Sequence, residues 1–118
     1  MLSIENLHVS YGNITALRGI SIDVAGGETV AVIGPNGAGK STLLLTIAGV
    51  VKARSGEILF SGRAIQGQPP EKLVARRIAL VPEGRHIFGS LTIAENLSLG
   101  ATARTDRKEI AADTERVL

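Results

Sequence analysis

The chain has no cysteine and no tryptophan, and among its 118 residues only Tyr11, Phe60 and Phe88 are aromatic. Without cysteine there are no disulfides and no thiolate metal sites, a composition that fits a reducing compartment. With three rings available, the core must be aliphatic, and the 44% hydrophobic content is enough for one globular domain. Charge of one sign is scarce too. A formal charge of +2 gives no reason to expect a nucleic acid as partner. The densest basic group, Arg76, Arg77, Arg85 and His86, reads as solvated or loop-bound side chains. Long apolar runs are missing, since Leu43 to Val51 is the longest mostly apolar stretch and a bilayer crossing takes ~20 residues. Glu5 stands where an export signal would be apolar. A soluble chain is expected, with any membrane role exercised through a partner.

Periodicity gives a succession of strands and helices. Leu2 and Ile4 alternate on one parity and Leu7, Val9 and Tyr11 on the other, so a strand with a bulge at Glu5–Asn6 is expected. Residues 20–24 alternate as a half-buried strand. After the Gly26–Gly27 turn, TVAVI at 29–33 is apolar throughout, the pattern of a strand covered on both faces in a parallel sheet. A buried helix is expected from about Lys40 to Gly49, then a hairpin around Ser61–Gly62–Arg63. Pro69–Pro70 open a short helix, and IALV at 78–81 reads as another apolar strand. Thr92 and Glu95 have the spacing of a capping box at a helix start that Gly100 ends. Asp106 and Glu109 repeat it for a last helix with Ile110, Val117 and Leu118 on one stripe.

Between TVAVI and the first helix lies GPNGAGKST, residues 34–42. Gly34, Gly39, Lys40 and Ser41 match G-x-x-x-x-G-K-[ST], for which a chance match in a chain of this composition is on the order of one per cent. A polyphosphate needs several donors converging on one point. Backbone N–H groups achieve this when no Cβ atoms intervene, which Gly37 and Gly39 permit. The helix N-terminus adds its positive end. Lys40 would place a cation at the β- and γ-phosphates, the Ser41 hydroxyl would ligate Mg²⁺, and Thr42 would donate near the α-phosphate. A glycine-rich turn before a core helix is the plainer alternative.

With its YG turn before it and SGEILFSG after it, GPNGAGKSTLL resembles the nucleotide-binding subunit of ATP-binding cassette (ABC) transporters. VPEGRHIFGSLTIAENL narrows the resemblance to the LivF-type subunit of branched-chain amino-acid transporters, over all 118 residues but only the first half of such a subunit. The resemblance implies an α/β fold: a P-loop NTPase core with an antiparallel β subdomain, residues 1–118 ending before the Walker B strand. It implies ATP and Mg²⁺ as cofactors, with Gly34, Asn36, Gly37, Ala38, Gly39, Lys40, Ser41 and Thr42 around the phosphates. Tyr11 aligns with the aromatic residue that stacks on adenine, although a tyrosine packed at a strand end would read the same. Glu83 takes the place of the family's usual glutamine, near the metal and the attacking water, and is a catalytic and metal-ligand candidate beside Lys40 and Ser41. Pro82 argues against reading Glu83 as the end of a Walker B strand.

The resemblance also implies a permease docked at residues 82–91, a second ATP-binding subunit, identical or not, and a cytoplasmic position on the inner face of the membrane. The transported substrate would touch another subunit. The expected Asp-Glu after four apolar residues, the Leu-Ser-Gly-Gly signature and a switch histidine are not found, since only Asp23, Asp106 and Asp113 are aspartates and His8 and His86 read as structural or surface. The intact subunit is expected to bind and hydrolyse ATP to drive import of branched-chain amino acids, and the 118 residues alone are therefore expected to bind nucleotide without hydrolysing it. The alternatives are a non-catalytic nucleotide-binding or assembly module, a small P-loop kinase and, within the family, a soluble ABC protein.

Overall fold

The computed structural model describes residues 1–35, 37, 39–81, 90–100 and 107–117. They form two compact units, Met1–Leu80 and Val81–Leu118.

The first unit is built on a four-stranded antiparallel sheet. Strands β1 (Leu2–Tyr11) and β2 (Ile14–Val24) form a hairpin about Gly12–Asn13. Strand β3 (Ser55–Phe60) pairs with the other edge of β1, and β4 (Arg63–Ala64) follows through the expected turn, giving the order β2-β1-β3-β4. The bulge falls where the parity of β1 switches. Asn6 has φ 48°, and the register slips between Ile4 and Leu7 against β2 and between Glu5 and His8 against β3. Opposite lies Gly56 at φ 102°, where a Cβ would sit 2.5 Å from the Asn6 carbonyl oxygen. The bulge therefore requires glycine across from it. Its effect is to turn Leu7 and Val9 toward the side that already holds Ile4, and all three are fully buried.

The core is aliphatic, as expected: Ile4, Leu7, Val9, Leu17, Leu43, Ile58, Ile65 and Leu73, with Phe60 only packed against its margin. Helix α1 (Lys40–Ile47) contributes Leu43, and α2 (Pro70–Ala75), with proline in its first turn, contributes Leu73.

Three expectations fail here. TVAVI at 29–33 is not a strand, and Val30, Val32 and Ile33 are exposed, Ile33 to 93%. IALV at 78–81 is not a strand either; Ile78 packs on the core while Val81 is 90% exposed. A parallel strand is held only by its neighbours, and among the described residues no strand lies beside either segment. Helix α1 was expected to be buried, yet only Leu43 and Thr46 are, and Leu44 is 49% exposed.

In the second unit, α3 (Ile93–Gly100) starts with the capping box formed in full. The Thr92 N–H donates to Glu95 Oε1 and the Glu95 N–H donates to Thr92 Oγ1, each at 3.1 Å. Helix α4 runs Arg107–Val117 with Ile110 half-buried; Asp106 and Leu118 lie outside the described residues.

The Thr92 backbone N–H, with the Thr92 hydroxyl second, holds the Glu95 carboxyl below its ordinary value of 4.5. A depressed carboxyl stabilises the folded helix above the unfolded value and loses that contribution as pH falls through the folded one. Amide signals of residues 93–100, followed from pH 7 downward, should therefore lose protection only below 4.5. The Glu95→Gln variant, which keeps an acceptor without a titrating group, should lack that acid step. An identical acid response in both would show that the capping carboxylate is not its source.

Candidate phosphate-binding loop

The loop from Gly34 to α1 is set against β2 by a close approach. Gly39, the residue before α1, has φ 94°, and a Cβ there would lie 2.7 Å from a Leu17 methyl and 2.8 Å from the Ala16 carbonyl oxygen. Any side chain would collide with the hairpin as well as strain the backbone. Gly39 thus lets the helix begin directly on the sheet. Its carbonyl accepts the first helical bond, from Leu43 N–H at 2.9 Å. Having no side chain, Gly39 supplies no cap, and no acidic residue stands in the first turn of α1. The positive end of the helix is left to whatever anion approaches it.

Lys40 bends back, and its ammonium donates to the Gly34 carbonyl across the loop. The segment is thereby closed on itself with its cation at the closure. Ser41 is exposed and Thr42 half-buried on the first turn. Thr46, buried, donates through Oγ1 to the Thr42 carbonyl at 2.7 Å. At the end of β1, Tyr11 is 48% exposed, and its hydroxyl shares a hydrogen bond of 3.3 Å with Thr42 Oγ1, either oxygen able to donate.

Of the expected site residues, Tyr11, Gly34, Gly39, Lys40 and Thr42 are therefore linked through this loop, by hydrogen bonds and by the chain itself. Gly37 has the positive φ of 87° that such a curl requires. Asn36, Ala38 and Glu83 lie outside the described residues, as do Arg85 and His86. Among the described residues no group of three or more acidic, histidine or cysteine side chains could hold a metal. A hydroxyl such as that of Ser41, added to phosphate oxygens and waters, is the donor set that Mg²⁺ takes in nucleotide sites. Two packing features carried no sequence signal: the seat of Gly39 on Ala16 and Leu17, and the Thr46 bond that fixes the Thr42 turn. Both join residues distant in the chain or hidden by helix geometry.

A glycine-rich loop closed by lysine and feeding an uncapped helix has the form of a phosphate-binding loop. Comparison with known proteins carries the class further. The family model described as ABC transporter matches residues 17–118, and this chain belongs to that family. It is 43% identical over its whole length to the high-affinity branched-chain amino acid transport ATP-binding protein BraG of Pseudomonas aeruginosa, covering 50% of that protein. It is 38% identical over 109 residues to the sn-glycerol-3-phosphate import ATP-binding protein UgpC of Rhizobium meliloti, covering 92% of this chain and 30% of UgpC. The ribose import ATP-binding protein RbsA of Yersinia pestis is 36% identical over 122 residues, covering all of this chain and 24% of RbsA.

The chain thus spans half or less of each of these curated relatives. Among solved structures, the dimeric bacterial ABC transporter cassette MJ0796 superposes with a TM-score of 0.78 at 26% identity, over 98% of this chain and 55% of that one. The same cassette in a post-hydrolysis state bound to ADP and phosphate gives 0.77. These likenesses bear out the α/β cassette fold.

Proposed function

We propose that this chain is the nucleotide-binding part of an ABC importer subunit, and that it takes up ATP with Mg²⁺ through residues 34–42. The observation that carries this reading is the Gly34–Thr42 loop. Its cation, its uncapped helix start and its exposed hydroxyl lie along one short segment, as a terminal phosphate requires. In the ligand-bound chain Lys40 would leave Gly34 for the β- and γ-phosphates. The α1 N-terminus would face their charge, Ser41 would ligate Mg²⁺, and the exposed Tyr11 ring would offer its face to the base. Mg²⁺ supplies charge neutralisation of the phosphates. Glu83 would stand near the metal and the attacking water.

The cargo we propose is a branched-chain amino acid, because BraG is matched along this whole chain at the highest identity of the three relatives named. No helix among the described residues is long and apolar enough to cross a membrane. Docking on permease subunits through residues 82–91, on the cytoplasmic face and beside a second ATP-binding subunit, would join this subunit to transport. Hydrolysis draws on groups not found in these 118 residues: a carboxylate base after an apolar strand, the partner's signature segment and a switch histidine. Phosphoryl transfer depends on positioning and charge stabilisation together, and turnover is proposed for the complete subunit.

Thermal or urea unfolding with and without Mg·ATP tests the binding. At a free concentration one hundred times the dissociation constant, nucleotide should add about 2.7 kcal/mol. A folded protein whose stability is unmoved by millimolar Mg·ATP would contradict the proposal. For the cargo, ATP-dependent uptake of labelled leucine, isoleucine or valine by vesicles with the complete transporter is expected, and uptake of ribose instead would reject it.

A further inference from the structure

Tyr11 ends β1 and Thr42 stands on the first turn of α1, 31 residues apart in sequence, yet their hydroxyls meet at 3.3 Å. The Thr42 turn is held by the buried Thr46 hydroxyl on its carbonyl, at 2.7 Å, so the Thr42 side chain is presented from a fixed backbone. Lys40 is engaged in the same way, on Gly34. Two of the groups that a phosphate would use are thus already hydrogen-bonded within the chain.

We propose that Tyr11 is a positioning residue that latches the loop: of the two possible directions, Thr42 Oγ1–H donates to the Tyr11 oxygen, and a phosphate must displace Tyr11 to receive that proton. The proposal rests on the nucleotide-binding reading and adds to it a cost of entry set by one atom. Tyr11 then acts on a nucleotide in two opposed ways. Its ring face favours a base through stacking, and its hydroxyl opposes the phosphates by occupying their donor. A ligand with phosphates and no base feels only the second. Because the Tyr11 side chain is half exposed, water competes for the same hydrogen bond and the opposition is small.

The two effects separate by sign. Calorimetric titration of the 118-residue chain with Mg·ATP and with magnesium tripolyphosphate supplies both readouts. In Tyr11→Phe, which keeps the ring, both ligands should bind about threefold more tightly. In Tyr11→Ala, tripolyphosphate should gain about the same factor while ATP becomes roughly tenfold weaker. A merely structural role for Tyr11 would weaken both ligands together. In a Thr42→Ala background, Tyr11→Phe should leave tripolyphosphate affinity unchanged, because the latch has already lost its partner.

Equal tripolyphosphate affinity in the native chain and Tyr11→Phe overturns the latch and leaves the nucleotide reading standing. So does a gain that persists without the Thr42 hydroxyl, or parallel weakening of both ligands in Tyr11→Ala. Failure of ATP and tripolyphosphate to bind any version overturns the nucleotide reading, and the latch with it.

Discussion

Replacing Lys40 by alanine should leave the chain folded and remove nearly all of its stabilisation by Mg·ATP. The Lys40 ammonium reaches the Gly34 carbonyl, an acceptor it would exchange for phosphate oxygens in the proposed nucleotide complex. A hydrogen bond to an ionic group contributes about 1.5–3 kcal/mol, well above a neutral one. Losing it from the bound state should therefore weaken affinity by about a hundredfold, or about 2.8 kcal/mol at 1.4 per tenfold. With nucleotide fixed at one hundred times the native dissociation constant, stabilisation should fall from about 2.7 to about 0.4 kcal/mol. Circular dichroism of the ligand-free variant should match the native chain, because the core residues lie elsewhere, in Ile4, Leu7, Ile58 and their neighbours. Retention of the full shift in Lys40→Ala would place nucleotide binding somewhere other than this loop.

The second large effect belongs to the core. Leu7→Ala should cost about 2–5 kcal/mol, the range for emptying a buried leucine site, against a total stability of about 5–15 kcal/mol for a small domain. Leu7 is 0% exposed, and it faces the core only because the bulge at Asn6 reverses the alternation of β1. Without the bulge its parity would put it on the outer face with Glu5. The contrasting site is Leu44 on α1, 49% exposed, where truncation to alanine should change stability by less than about 1 kcal/mol. Urea midpoints of the two variants measure the difference, with unchanged slopes showing that compactness is preserved. Similar midpoints for both would mean that the bulge does not set which face of β1 is buried.

Much of the fold was legible because its local signals agree with its packing. The parity switch in LSIENLHVSY marked the bulge, and Asn6 with φ 48° makes it. The Thr92–Glu95 spacing marked a capping box, and both of its bonds are present. The motif at 34–42 could be read by residue type and spacing, and its Gly39 and Lys40 make the close approach to β2 and the bond to Gly34; its role on phosphates is a proposal. TVAVI was misread for a definite reason. An apolar run states that a segment prefers burial, not that a neighbour is there to bury it, and Ile33 is 93% exposed. The composition of α1 misled in the same way, since an apolar helix surface reports what could be covered, as Leu44 shows. Glu83 has no geometry to set beside its expected role, because it lies outside the described residues. The Tyr11–Thr42 hydrogen bond was beyond reach of sequence reading, as it joins the end of a strand to a helix turn through tertiary packing alone.

The most direct test is a titration of the isotope-labelled chain with Mg·ATP, following each backbone amide. A phosphate cage made of main-chain N–H groups should shift the amides of Gly37, Gly39, Lys40, Ser41 and Thr42 first and furthest, saturating together. Saturable shifts centred on another segment, with residues 37–42 silent, would contradict the claim that this loop holds the terminal phosphates.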